Sequence, residues 1–169
     1  MSVEKGPSGR RSVQVKAGNP GGAGSRTAQE TAEAKLSTLI SRFAPAHLEL
    51  VRRSLRKRLP TAHELVYEYR SWFVISFSPS EKGYEGVLSI RGDEGGIKLY
   101  FNHGKELPDP EKLLKGTSNT RYINVDHATL LDSPAVTKLF DEAIARNPVQ
   151  FASASPGSVI IRSASANKR

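Results

Sequence analysis

Trp72-Phe73-Val74-Ile75-Ser76-Phe77, then Gly86-Val87-Leu88-Ser89-Ile90, then Ile97-Lys98-Leu99-Tyr100-Phe101 are three extended segments in close succession. The first is β-branched and aromatic and ends at Ser78-Pro79, as a strand buried on both faces or nearly so would be. In the third, Ile97, Leu99 and Phe101 alternate with Lys98 and Tyr100, the period-two pattern of a strand. Gly92-Asp93-Glu94-Gly95-Gly96 supplies the turn residues of a hairpin between the second and the third. A tight hairpin joins antiparallel neighbours, so this block sets the sheet. Further along, Arg121-Tyr122-Ile123-Asn124-Val125 reads as a fourth strand and Val159-Ile160-Ile161 as an added edge strand.

Helical patterns lie on both sides of the block. From Gln29 onward, Leu36, Leu39, Ile40 and Phe43 recur at three and four residues, an amphipathic stripe that stops before Pro45. A second helix follows, with Leu48, Val51, Leu55 and Leu59 inward and Arg52, Arg53, Arg56 and Lys57 outward, ending before Pro60. Thr61-Ala62-His63-Glu64 fits a capping box and predicts a short third helix burying Leu65 and Val66. Asp109-Pro110 through Lys115-Gly116, with Asp as cap, Pro in the first turn and Gly at the end, predicts a helix of one to two turns. Ser133-Pro134 opens a final helix with Val136, Leu139, Phe140 and Ala143 inward, stopping before Pro148. The fold class is therefore α+β, a mostly antiparallel sheet of about four to five strands with helices before and after it.

The first 28 residues are rich in Gly, Ser and basic side chains with almost nothing to bury, and cannot offset the entropy of ordering. This organises the chain as a disordered basic tail over 1–28, one domain over 29–162 and a short tail over 163–169. The glycines around Gly21-Gly22 do not make a phosphate-binding loop, because the spacing, the lysine and the preceding strand are missing. With no cysteine in its 169 residues, the chain has no disulfide, thiolate metal site or cysteine nucleophile. No apolar run approaches a bilayer span and no apolar leader opens the chain, so a soluble cytoplasmic protein without membrane contact is expected.

The formal charge is +8. Lys5, Arg10, Arg11, Lys16 and Arg26 face Glu4 alone in the tail, and Arg52, Arg53, Arg56, Lys57 and Arg58 face Glu49 alone in the second helix. The remainder of the chain balances. Charge concentrated in this way attracts polyanions, so nucleic acid and acidic proteins are both candidate partners, and the alternative is a solvated helix face. The aromatic interleaving of a base-stacking surface is missing from that helix.

The order of these signals, Leu59-Pro60-Thr61-Ala62-His63-Glu64, the apolar strand, the hairpin, then Leu107-Pro108-Asp109-Pro110 through Gly116 and Arg121 to Val125, resembles the YdhG-like domains of unknown function over residues 30 to 147. The resemblance implies a compact α+β fold and a small non-catalytic binding or chaperone-like role. Some of those domains are described as frataxin-like iron chaperones, which makes an intracellular iron or metal carrier an alternative and iron the one cofactor implied. Such a role relies on a carboxylate-rich surface. Here the acidic pairs at helical spacing are Glu30 with Glu33 and Glu64 with Glu68, and neither extends into a ridge.

Two further groups carry chemistry. His103, Asp126 and His127 offer imidazole and carboxylate donors suited to iron or zinc if their two segments converge. Lys115-Gly116-Thr117-Ser118-Asn119-Thr120-Arg121 places Lys115 and Arg121 around hydroxyl and amide donors, a composition able to hold a phosphate or carboxylate. The same loop could simply join two elements, its polar residues bonding their own backbone. Tyr84, Tyr100 and Tyr122 could line a pocket beside it, although strand aromatics are commonly core. No Gly-x-Ser-x-Gly elbow is present, and Asp93 and Glu94 fall in a hairpin turn where nothing would raise a carboxylate pKa. An enzymatic role has no support in the sequence.

Overall fold

The computed structural model describes residues 21–43 and 45–163. In chain order the elements are α1 (Gly21–Phe43), α2 (Leu48–Arg58), β1 (His63–Glu68), β2 (Phe73–Ser78), β3 (Leu88–Asp93), β4 (Gly96–Phe101), β5 (Arg121–Asn124), α3 (Pro134–Arg146) and β6 (Val159–Ser163). The strands form one six-stranded sheet in the order β5-β4-β3-β2-β1-β6. The expected hairpin is present, with Asp93 opposite Gly96. The class is α+β as expected, but the sheet has six strands and is mixed: β6 lies on the edge and runs parallel to β1.

Three local expectations are corrected. The segment after Pro60 is β1 rather than a helix. Leu65 and Val66 are both buried, on opposite faces of the sheet, and the carboxylate of Glu64 meets Arg52 instead of a helix amide. After Asp109 there is a turn and no helix: its carboxylate does cap the amides of Leu113 and Leu114, at 2.9 and 2.8 Å. The chain leaves helical geometry at Lys112, φ 54°, and Lys115 pairs with Tyr122 as an isolated bridge. Third, α1 begins at Gly21, so residues 21–28 of the stretch expected to be disordered are helical, whereas residues 1–20 lie outside the described residues. Helix propagation explains this, since each residue added to a helix already anchored by Leu36, Leu39 and Ile40 gains a hydrogen bond without a new nucleus. At the other end Ser163, expected to open the tail, closes β6, and residues 164–169 lie outside the described residues.

Strand register divides the sheet into two unlike faces. Val66, Phe73, Ile75, Phe77, Leu88, Ile90, Ile97, Leu99, Phe101, Ile123 and Val159 share one face and are buried in a single apolar core. All three helices pack there. The Phe43 ring of α1 lies 6.5 Å from Phe73, and Phe140 of α3 lies 5.7 Å from Phe101. Leu48 of α2 comes so close to Gly92 that a Cβ there would stand 2.7 Å from its Cδ1.

The other face carries Leu65, Tyr67, Val74, Ser76, Ser89, Arg91, Lys98, Tyr100 and Tyr122. At one end it is closed by the connection between β2 and β3. Ser78 donates to the Lys82 carbonyl at 3.1 Å, Arg162 donates to the Glu81 carbonyl, and Gly83 abuts the Tyr67 hydroxyl. Leu65, Ser76 and Ser78 are buried under that connection. From Arg91 to Tyr122 the face is turned away from the helices and its side chains are half-exposed.

Candidate functional site

The basic helix is less available than its composition suggests. Arg52 is 5% exposed and points into the protein, where it donates to Glu64 at 2.6 and 3.1 Å and to Glu33 at 2.9 Å. Burial alone would push the guanidinium down, yet Glu64 and Glu33 outweigh it and hold Arg52 above its ordinary value. Arg56 pairs with the same two carboxylates at 3.2 Å, and Arg58 donates to the Leu131 carbonyl and Asp132 at 2.7 and 3.0 Å. These arginines tie α2 to α1, β1 and the turn before α3. Arg53 and Lys57 face solvent, and Arg56 is exposed as well despite its ion pairs.

The loop from Lys115 to Arg121 does not gather its two cations. Residues directly opposite in an antiparallel pair project to the same face, so Lys115 lies beside Tyr122 on the helix-free face, with two backbone bonds of 2.8 and 3.0 Å joining them. Arg121, one residue earlier, falls on the other face, where it packs on Gly104 and donates to the Gly116 carbonyl. Ser118 and Thr120 bond backbone carbonyls at 2.7 and 3.2 Å, as a connecting loop does. His103, Asp126 and His127 are all exposed, and among the described residues no group of three His, Asp or Glu side chains is placed to hold a metal ion. Two other histidines have structural partners: His47 meets the Val125 carbonyl at 3.0 Å, and His63 accepts the Ser158 amide at 3.2 Å.

What the register does assemble is an aromatic and basic surface. Tyr100 and Tyr122 are directly opposite on β4 and β5, with rings 5.5 Å apart. Lys98 stands over the Tyr122 ring at 5.0 Å, and Lys115 extends the row beyond the sheet edge. On the next strand Arg91 is the direct partner of Lys98 and lies over the ring of Trp72 at 4.3 Å. Beside Trp72 opens a cleft of about 450 Å³, lined also by Phe43, Arg70 and Arg91. Asp93 and Glu94 are acidic residues of the same cleft; Asp93 is engaged by Arg91 at 3.0 Å and by the Gly95 amide at 2.8 Å, and Glu94 is exposed. Sequence reasoning set Tyr100 and Tyr122 beside the Lys115 loop, together with Tyr84, which is not among these contacts, and missed Lys98, Arg91 and Trp72 because they come from separate strands. The signal that could have found the surface is the parity of Tyr122, Tyr100, Lys98 and Arg91 once the strands are aligned.

No helix among the described residues is long and apolar enough to cross a membrane. Comparison with protein-family models, curated proteins and solved structures gives no match to this chain.

Proposed function

We propose that the chain is a small, non-catalytic binding domain of the YdhG-like type whose ligand seat is the helix-free face of the sheet, and that its ligand combines a planar ring with negative charge. The row formed by Lys115, Tyr122 and Tyr100, with Lys98 above the Tyr122 ring, carries this reading. Rings at the surface present a stacking plane and the lysines beside them suit a phosphate or carboxylate. The alternative of polyanion binding through α2 has less support, because Arg52 and Arg56 already satisfy Glu33 and Glu64. A metal-carrier role has no assembled ligand set behind it among the described residues.

The test is a titration with a nucleoside monophosphate, the bare nucleoside and inorganic phosphate, followed by amide chemical shifts. The monophosphate is expected to shift the amides of β4 and β5 more strongly than either half alone, and Tyr122→Ala to remove the response. Shifts confined to α2, or none, would reject the seat.

A further inference from the structure

Resting on that reading, we infer that the physiological occupant is a single-stranded nucleic acid laid across the strands from the β5 edge toward Trp72. The surface repeats its unit. One aromatic and cation set is Tyr100, Tyr122 and Lys98, and a second is Trp72 with Arg91. Trp72, beside β2, lies three strand spacings across and four residues along from Tyr122, which is level with Ser76 of β2; the separation is roughly 20 Å, more than one nucleotide covers and within the span of a short oligonucleotide. Lys98 and Arg91 are direct cross-strand partners, an arrangement that costs stability through like-charge repulsion. An anionic backbone passing between them removes that repulsion, and Lys115 supplies a third cation at the edge. At the cleft Arg70 and Arg91 are balanced by Asp93 and Glu94, so the cationic excess of the surface lies at Lys98 and Lys115.

The rings select the strand state. Bases can stack on side chains rising from a sheet only when they are not stacked inside a duplex, and stacking tolerates any base because each has a π face. The cleft beside Trp72, flanked by Arg70 and Arg91, can take a terminal base. Ribose and deoxyribose strands share this chemistry and form separate arms of the test.

The experiment is fluorescence anisotropy with labelled octanucleotides of RNA and of DNA, single-stranded and as duplexes, against the full chain, with emission of Trp72, the only tryptophan, as a second readout. Single strands are expected to bind at least tenfold tighter than the duplexes and to quench Trp72. Three phosphate contacts give a log–log salt slope of about −2, which Lys98→Gln reduces by about 0.7. Tyr122→Ala and Tyr100→Ala are each expected to weaken binding by about five- to a hundredfold, and Tyr122→Phe to retain it. Equal duplex affinity, or a loss produced by Arg53→Glu with Lys57→Glu and not by the tyrosine variants, would overturn the inference. A monophosphate that still shifts β4 and β5 while no octanucleotide binds overturns the polymer but leaves the seat standing; absence of both responses overturns both.

Discussion

Arg52 and Glu64 are joined by two hydrogen bonds, 2.6 and 3.1 Å long, that tie α2 to β1, and both are almost wholly buried. Neither group could be there alone. Glu64 projects from β1 onto the face that carries the apolar core, so its charge is tolerated because guanidinium groups from α2 meet it.

Replacing Arg52 by Ala is therefore expected to destabilise the fold, by less than the about 3–5 kcal/mol of a fully stranded charge, since it leaves the buried Glu64 carboxylate with Arg56 alone at 3.2 Å. Arg52→Met combined with Glu64→Leu should recover most of the loss. Urea unfolding of the three variants decides it; a double variant no better than Arg52→Ala would mean that the pair contributes through geometry rather than charge balance.

The pH dependence of this contribution has a definite sign. The folded-state pKa of Arg52 lies above that of an arginine in the unfolded chain, so its stabilisation is complete below the unfolded value and is lost as pH rises through the higher folded one. The stability difference between the native protein and Arg52→Gln should accordingly stay constant from about pH 7 to 10. A difference that shrinks over that interval would assign the effect to another group.

Lys98→Glu separates stability from binding. It would turn the repulsive pair with Arg91 into an attractive one and raise stability by about 0.2–1 kcal/mol. The same change removes the cation over Tyr122, and oligonucleotide affinity should fall at least tenfold. Thermal unfolding read beside anisotropy checks both; a stabilised variant that still binds would remove Lys98 from the seat.

Gly92→Ala should cost about 1–3 kcal/mol by overpacking, because its methyl group would meet Leu48 at 2.7 Å and the Phe73 ring at 3.2 Å. Leu48→Ala introduced on top of it should cost less than Leu48→Ala alone does in the native protein. Additive losses in urea titrations would show that the contact is not shared.

The reading from sequence succeeded where side-chain period and backbone agree: Ile97, Leu99 and Phe101 alternate and form β4, and Ser133-Pro134 opens α3. It failed at Thr61-Ala62-His63-Glu64, where a local capping pattern competed with pairing to β2, the next segment of the chain, and to β6, distant in sequence. It failed again after Asp109, whose carboxylate caps two amides of a turn that Lys112 and the bridge at Lys115 divert toward the sheet. The site was illegible for a related reason. Arg52 looks exposed on a helical wheel until Glu33 and Glu64 arrive from other elements, and Arg56, though exposed, is engaged by the same two carboxylates. Tyr100 and Tyr122 resemble core aromatics until the register sets them on the helix-free face.

Because β6 pairs in parallel with β1, residues 69–158, about half of the chain, lie between two neighbouring strands. Residues 63–68 emerge from the ribosome long before their partner does. During synthesis the outer edge of β1 has no neighbour on that side, and its unmet amides and carbonyls stand open to pairing with other chains. Vectorial folding can assemble β1 through β4 early, yet closure waits for Val159–Ser163, which makes a ribosome stalled before that segment an aggregation hazard.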